Sequence, residues 1–420
     1  MKLFIFESHP VQYHAPVYRE LHRLCQSGGF GSIHVYYATD VTLRGYFDAD
    51  FRAAFSWDEP LLDGYPASVL NNENGIPLQG FHSLTGKGIP SLLRRQRPDA
   101  VMLAGLAYRF DWTAYVAALA LRFPIWLRTE TQDEAFRRGL LKSLLRRCFY
   151  RATYVPIRKA LAIGKLNAAH YQRHGIPAAR QGWSPYCVVD RFANVSPEQA
   201  AHWRRGIRSQ AGFTDDQTVL MFCGKLQPKK YPEALLEALA RLPEPERCRF
   251  GVLFVGSGEL ETRLRLQARA VAGIRAWFAG FRNQTELPPF YLASDVLVLP
   301  SRQMGETWGL VVNEALLAGL QVLVSNHAGC HADLGQAPGV HVFDGSAEHL
   351  AGALRLLPRK ETSGELAREF MQRYSVRAAA EGIAQAMRLL PARHADGPLQ
   401  SAHATTSVRQ KPAVDSLAAN

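Results

Sequence analysis

What most constrains this chain is a doubled series of short apolar runs, each handing over to a helical pattern. KLFIFE, SIHVYYAT, DAVMLAG, PIWLRTE and KALAIG are β-type runs in the first half, with helical spacing between them over stretches such as 15–25 and 113–122. Such alternation builds βαβ units, whose parallel strands are covered by helices. The pattern stops across QGWSPYCVVDRFANVSPEQ, a stretch of turn formers without a period. It restarts with TVLMFCG, FGVLFVGSG, IRAWFAG, DVLVLPS, QVLVSN and GVHVFDG. A chain of 420 residues is also long for one core. The expectation is an α/β protein of two Rossmann-like domains, residues 1–185 and 186–391. The stretch 392–420 loses its large apolar residues and reads as a disordered tail.

Charge and cysteine usage narrow the setting. No stretch of eighteen uninterrupted apolar residues occurs, and the first sixteen residues lack the apolar core of a signal peptide. Six scattered cysteines without a CxxC pair suit a reduced compartment, so a cytoplasmic protein is expected. The formal net charge of +12 points to an anionic partner: nucleic acid, phosphorylated metabolite or lipid surface. Nucleic acid is disfavoured, because no such module is present and the aromatics are not interleaved with basic residues. From 137 to 159 eight cations occur with no acid, on a leucine-bearing helical pattern. That stretch is either a helix with a solvated basic face or one that touches an anionic membrane at the inner face.

Ligands of parallel sheets bind beyond the carboxyl ends of the strands, so the turns there are where chemistry is expected. In CGKLQPKK, Gly224 ends a run and Lys225 and Lys230 follow; they suit a diphosphate or a plain solvated loop. Gly256 and Gly258 of VGSGEL form a weaker phosphate-type turn lacking the third glycine of GxGxxG. Gly280, Phe281 and Arg282 close another run, where backbone groups would meet a base ring. In PSRQMGETWGLVVNEALLAG two glutamates stand eight positions apart around a helix start. Gly309 and Leu310 would supply free N–H groups there for a phosphate. Glu314 would accept from a ribose diol, and Glu306 would face whatever extends from the phosphates. The alternative is that Glu306 merely caps the helix and Glu314 is exposed.

Taken in order, GKLQPKK, VGSGEL, AGF followed by LPPFYLASDVLVLPS, and ETWGLVVNE resemble the donor domain of family 4 glycosyltransferases, which have the GT-B fold. The E-x7-E spacing of Glu306 and Glu314 carries much of the likeness, which runs from about 218 to 345. It extends more loosely to SHPVQYHAPVYREL and ALAIGKLNAAHYQRHGIP, which resemble bacterial polysaccharide-type members. The resemblance implies a retaining transfer from a nucleotide diphosphate sugar to a glycan or lipid-linked acceptor, with no cofactor and no required metal. It implies that Lys225 and Lys230 bind the diphosphate, that Glu306 contacts the donor sugar and that Glu314 holds the ribose. Thr307 and Trp308 lie within the same motif and count as donor-side residues. Tyr231 departs from the family, which commonly has glycine there, and the usual glycine pair of the first turn is replaced by ESHPVQYHAP.

The acceptor side is expected in the first domain, with His14, Arg128, Glu130 and Lys165 as polar candidates. Two tempting metal motifs are set aside. His327, Cys330 and His331 lack the second ligand pair of a zinc site, and His327 and Gly329 are instead expected near the donor. Asp48 and Asp50 form a D-x-D in the wrong context. Two rival readings remain: a nucleotide-sugar epimerase of the same shape, and a non-catalytic basic protein that binds a surface.

Overall fold

The computed structural model describes residues 1–48, 52–357 and 364–390; Asp50 and the expected tail lie outside them. All eleven runs become strands of two parallel sheets. The first sheet contains β1 (Lys2–Glu7), β2 (Ser32–Tyr37), β5 (Ala67–Val69), β6 (Ala100–Leu103), β7 (Ile125–Leu127), β8 (Ile157–Ala162) and β9 (Gln181–Trp183), in the order β5-β2-β1-β6-β7-β8-β9. A small antiparallel hairpin, β3 (Tyr46–Asp48) with β4 (Ala53–Phe55), stands apart from it. The second sheet holds β10 (Thr218–Cys223), β11 (Phe250–Val255), β12 (Arg275–Gly280), β13 (Val296–Leu299), β14 (Gln321–Ser325) and β15 (Val340–Phe343), in the order β12-β11-β10-β13-β14-β15. Strands β6, β11, β13 and β14 are buried throughout, which is why their sequences are apolar without alternation.

Both sheets reverse their strand order beside their first strand, between β1 and β6 and between β10 and β13. A sheet that reverses in this way opens a crevice at the carboxyl ends of the two strands. The turns after β1, β10 and β13 are therefore the ones the fold presents to ligands.

The domain boundary needs one correction. Helix Val376–Leu389, expected with the second domain, packs on the first. Ala379, Ile383 and Met387 join the same core as Leu3, Tyr18 and Cys25. Ser184 Oγ donates to Ala379 O at 2.8 Å. A Cβ on Gly382 would lie 1.7 Å from Trp183 O, so glycine is required at this crossing. The helix is amphipathic and its apolar face fits the first sheet; periodicity alone does not say which of two sheets a last helix will cover.

Candidate active site

The turns after β10 and β13 meet over the second domain's crevice, where a cavity of about 470 Å³ lies between the domains. Gly224 follows β10 with φ +136° and Gly256 follows β11 with φ +129°. A Cβ on Gly256 would stand 2.0 Å from Gly224 O, so the two turns touch backbone to backbone and only glycine fits. Tyr231, where the resemblance led us to expect glycine, keeps a left-handed φ of +52°. Its hydroxyl donates to Glu237 Oε2 at 2.6 Å and Arg302 lies 3.6 Å over its ring. These contacts offset a backbone cost of roughly 1–2 kcal/mol and hold the lysine turn in place.

Lys230 Nζ lies 2.7 Å from Glu306 Oε2, and Ser301 Oγ donates to the same oxygen at 3.4 Å. Glu306 is only 6% exposed. Burial pushes its carboxyl up, but Lys230 and Lys229 outweigh burial and hold it below the usual value. It is thus a buried, ionised carboxylate rather than a helix cap. Helix Val311–Ala318 begins just beyond with no side-chain cap, and Gly309, Leu310 and Val311 at its start line the cavity. Glu314 accepts a hydrogen bond from Tyr291 Oη. Burial raises its carboxyl, with Tyr291 opposing, so it is not simply an exposed helix residue.

Most predicted donor-side residues line this one cavity: Gly224, Lys225, Lys230, Gly256, Phe281, Arg282, Glu306, Thr307, Trp308, Gly309, Leu310 and Glu314. Gly280 stands one position behind, accepting from Gly256 N at 2.8 Å. Gly329 supports the site from below, donating to Glu306 O at 3.1 Å; neither it nor His327 reaches the cavity. Of the abandoned zinc motif, Cys330 is buried and His331 Nδ1 turns to Ala328 O at 2.9 Å.

The first domain's contribution differs from expectation. Glu130 lines the cavity, receiving Tyr13 Oη at 3.3 Å and, across the cleft, Thr307 Oγ1 at 2.9 Å. His14 does not: its ring is buried and pairs with Glu7 among Tyr13, Tyr18 and Tyr186. Arg128 is buried as well, donating to Ser184 Oγ at 2.9 Å and lying over Tyr186. Lys165 lies outside the cavity and uses its backbone N to meet Asp333 at 2.9 Å. These three residues follow strands as expected, yet His14 and Arg128 spend their side chains on buried partners, and Lys165 meets Asp333 with its backbone alone. The histidine that does line the cavity is His9, whose Nδ1 lies 2.9 Å from Ser8 Oγ. Burial lowers its pKa to about 4, so it is neutral near pH 7. Its place in the turn after β1 was a usable signal. Asp48, discounted as a metal ligand, instead lies 3.1 Å from Lys225 Nζ and spans the domains.

A larger hollow of about 990 Å³ lies elsewhere, against helices Ala15–Gly28 and Val376–Leu389. It contains none of the predicted residues.

Two Rossmann-like domains facing across a cleft, each presenting its switch point, form the GT-B fold. Residues 204–388 match the family model for glycosyl transferases group 1, which supports that family for the second domain and the last helix. D-inositol 3-phosphate glycosyltransferase 2 of Catenulispora acidiphila is 33% identical over 192 residues, covering 42% of this chain and 44% of that protein. The chain spans roughly a third to a half of the length of the curated relatives it matches. Among solved structures, HepE of Anabaena in complex with UDP has a TM-score of 0.68 at 16% identity, covering 93% of this chain and all of that one. A Listeria monocytogenes protein assigned as a UDP-N-acetylglucosamine 2-epimerase has a TM-score of 0.60 at 14% identity, covering 92% of this chain and 95% of that one. At such identities the likeness concerns the fold alone, which transferases and epimerases share.

Proposed function

We propose that this protein is a retaining glycosyltransferase of the family 4 kind. It moves a hexose-type unit from a nucleotide diphosphate sugar to a glycan or lipid-linked acceptor in cell-surface polysaccharide synthesis. The observation that carries the reading is the Lys230–Glu306 pair, 2.7 Å apart at the mouth of an uncapped helix in the second domain's crevice. Breaking a bond between a sugar and a diphosphate leaves charge on the leaving oxygens. Preorganised cations and backbone N–H groups stabilise such charge most where water is excluded. Lys225, Lys230 and the first N–H groups of helix Val311–Ala318 serve this purpose without a metal or cofactor. Glu306 orients the donor sugar and Glu314 the ribose, while Phe281 and Arg282 face the base. Glu130 and His9 offer the acceptor hydroxyl a carboxylate and a neutral imidazole.

In this reading the enzyme works in the cytoplasm, peripheral to an anionic membrane surface. The epimerase reading also uses a nucleotide sugar but needs no acceptor. The test is a panel of UDP-, GDP- and ADP-sugars, screened by thermal shift, since ligand binding stabilises the folded state. Nucleoside diphosphate release is then measured with and without glycan or lipid-linked acceptors. Release that rises with acceptor supports transfer; epimerised donor, or diphosphate release indifferent to every acceptor, removes the proposal.

A further inference from the structure

The first domain holds a cluster of potential ligands outside the cleft. His170 lies on helix Lys165–Arg173, and His174, one turn on, caps its carboxyl end. Asp133 reaches them from the stretch between β7 and helix Leu140–Tyr154. None of the three lines the cleft cavity. His170 Nδ1 stands 2.9 Å and His174 Nε2 3.2 Å from Asp133 Oδ1, and the three ligand atoms lie within 4.8 Å of one another. Among the described residues no other group of His, Cys, Asp and Glu side chains gathers in this way. Around a tetrahedral ion with bonds of about 2.0–2.1 Å, neighbouring ligand atoms stand about 3.3 Å apart. The two spacings to Asp133 lie close to that.

The surroundings suit ligands as well. Both histidines are buried, with the Tyr150 ring 4.7 Å from His170 and 5.3 Å from His174. Tyr154 Oη, 2.9 Å from His170 Nε2, fixes that ring from its far side. An outer partner of this kind orients a metal-bound imidazole. Arg173 Nη1 donates to Asp133 Oδ2 at 2.9 Å, which turns Oδ1 toward the histidines. Burial lowers both imidazoles, with Asp133 opposing, so both are neutral near pH 7 and able to ligate. The Asp133 side chain is 17% exposed, which gives an ion an entry and a fourth position for water. One group competes: Arg146 Nε stands 3.5 Å from Asp133 Oδ1 without a hydrogen bond to it.

We infer that Asp133, His170 and His174 form a site for a divalent transition metal, Zn²⁺ by its mixed nitrogen and oxygen donors. Two imidazoles exclude Mg²⁺ and Ca²⁺, which take oxygen ligands. The ion clips helix Lys165–Arg173 to the stretch that carries Asp133. It acts on stability and not on the reaction, and it does not rest on the transferase reading. The test uses the full chain, stripped with EDTA and dialysed against Zn²⁺ or Co²⁺. Wild type should take up one ion per chain, melt higher with the ion than without it, and give cobalt the intense visible bands of a four-coordinate site. Tyr154→Phe keeps all three ligands and should weaken binding roughly 10–100-fold. His174→Gln should abolish the bands, and Arg146→Gln, which removes the competing cation, should tighten binding. If His174→Gln fails to fold, the other two variants decide. No uptake by folded wild type, or uptake that Tyr154→Phe and Arg146→Gln leave unchanged, overturns the inference. The cluster is then an ion-pair network around Asp133, and any zinc taken up sits on other histidines.

Discussion

On one wall of the cleft, Lys225, Lys230, Glu306, Gly309 and Glu314 come from two stretches that follow the neighbouring strands β10 and β13. On the other, His9 and Tyr13, Asp48 and Trp57, Glu130, and Tyr186 come from four separate segments. The first wall has its function packed into short turns whose spacing the backbone fixes. The second is assembled by tertiary contact, and some of its ends are tied to the first: Glu130 to Thr307, Asp48 to Lys225, and Asp58 to Thr285. A turn that holds phosphates tolerates little variation, whereas an acceptor wall is rebuilt by exchanging loops. The wall assigned to the donor should thus fail sharply when one residue changes, and the other gradually.

The largest expected effect is at Lys230. Losing a preorganised charge partner of this kind lowers turnover on the order of 10²–10³-fold. The buried pair adds a second consequence, because Lys230→Ala strands the ionised Glu306 carboxylate. Breaking a buried pair on one side costs roughly 3–5 kcal/mol, so the single variant should melt earlier than wild type. The double variant Lys230→Ala/Glu306→Gln should recover most of that stability and none of the turnover. Recovered turnover would mean that Lys230 serves the fold and not the leaving group.

Next come the two glutamates. Glu306→Gln should lower kcat, whereas Glu314→Gln should mainly raise the donor Kd, by roughly tenfold for a lost charged hydrogen bond. Contacts to ribose are equal in ground and transition states, while contacts near the reacting carbon need not be. Kinetic effects of the opposite pattern would exchange the two roles.

The contrast between the walls also explains what was legible beforehand. The alternation of apolar runs foretold every long strand, most plainly β6, β11, β13 and β14, which are buried on both faces and have no choice of composition. It missed β5 and β9, each three residues long at the ends of the first sheet, and hairpin β3–β4. Edge strands this short carry too few apolar residues to show a period. Among site residues, Glu306 and Glu314 were readable because one loop and one helix carry both. His14 and Arg128 were misplaced because a polar residue after a strand can turn to the cleft or to a buried partner. Glu7 captured the first, and Ser184, 56 positions away, the second. No local pattern encodes such partners.

A smaller effect is expected at His9, on the gradual wall. Burial lowers its pKa from 6.5 to about 4 in the folded protein. Between those values the unfolded chain binds a proton that the folded chain refuses. Stability from this group is complete above about pH 6.5 and lost as pH falls toward 4, by at most about 1.4 kcal/mol per pH unit. His9→Gln should flatten that part of the stability profile in urea unfolding from pH 7 to 4. An unchanged slope would show that His9 is solvated and free to protonate.

The smallest effect expected is none at all: activity should survive EDTA. A diphosphate leaving group must be neutralised by something, and a metal held by aspartates is one means. Here the described half of the D-x-D pair, Asp48, lies on hairpin β3–β4 and has Lys225 Nζ at 3.1 Å. A carboxylate so engaged has its charge answered by a lysine, and that lysine is one of the residues proposed to bind the diphosphate. Lys229, Lys230 and the uncapped helix at Val311 add further positive potential on the same wall. These groups stand in place before substrate arrives, so a metal would meet cations at the position it needs. Turnover measured in EDTA should equal that in buffer, and Asp48→Asn should change donor Kd only a few-fold by freeing Lys225. If EDTA abolishes turnover and manganese restores it, while Asp48→Asn removes the rescue, the two aspartates are metal ligands and the lysine-based account of leaving-group stabilisation fails.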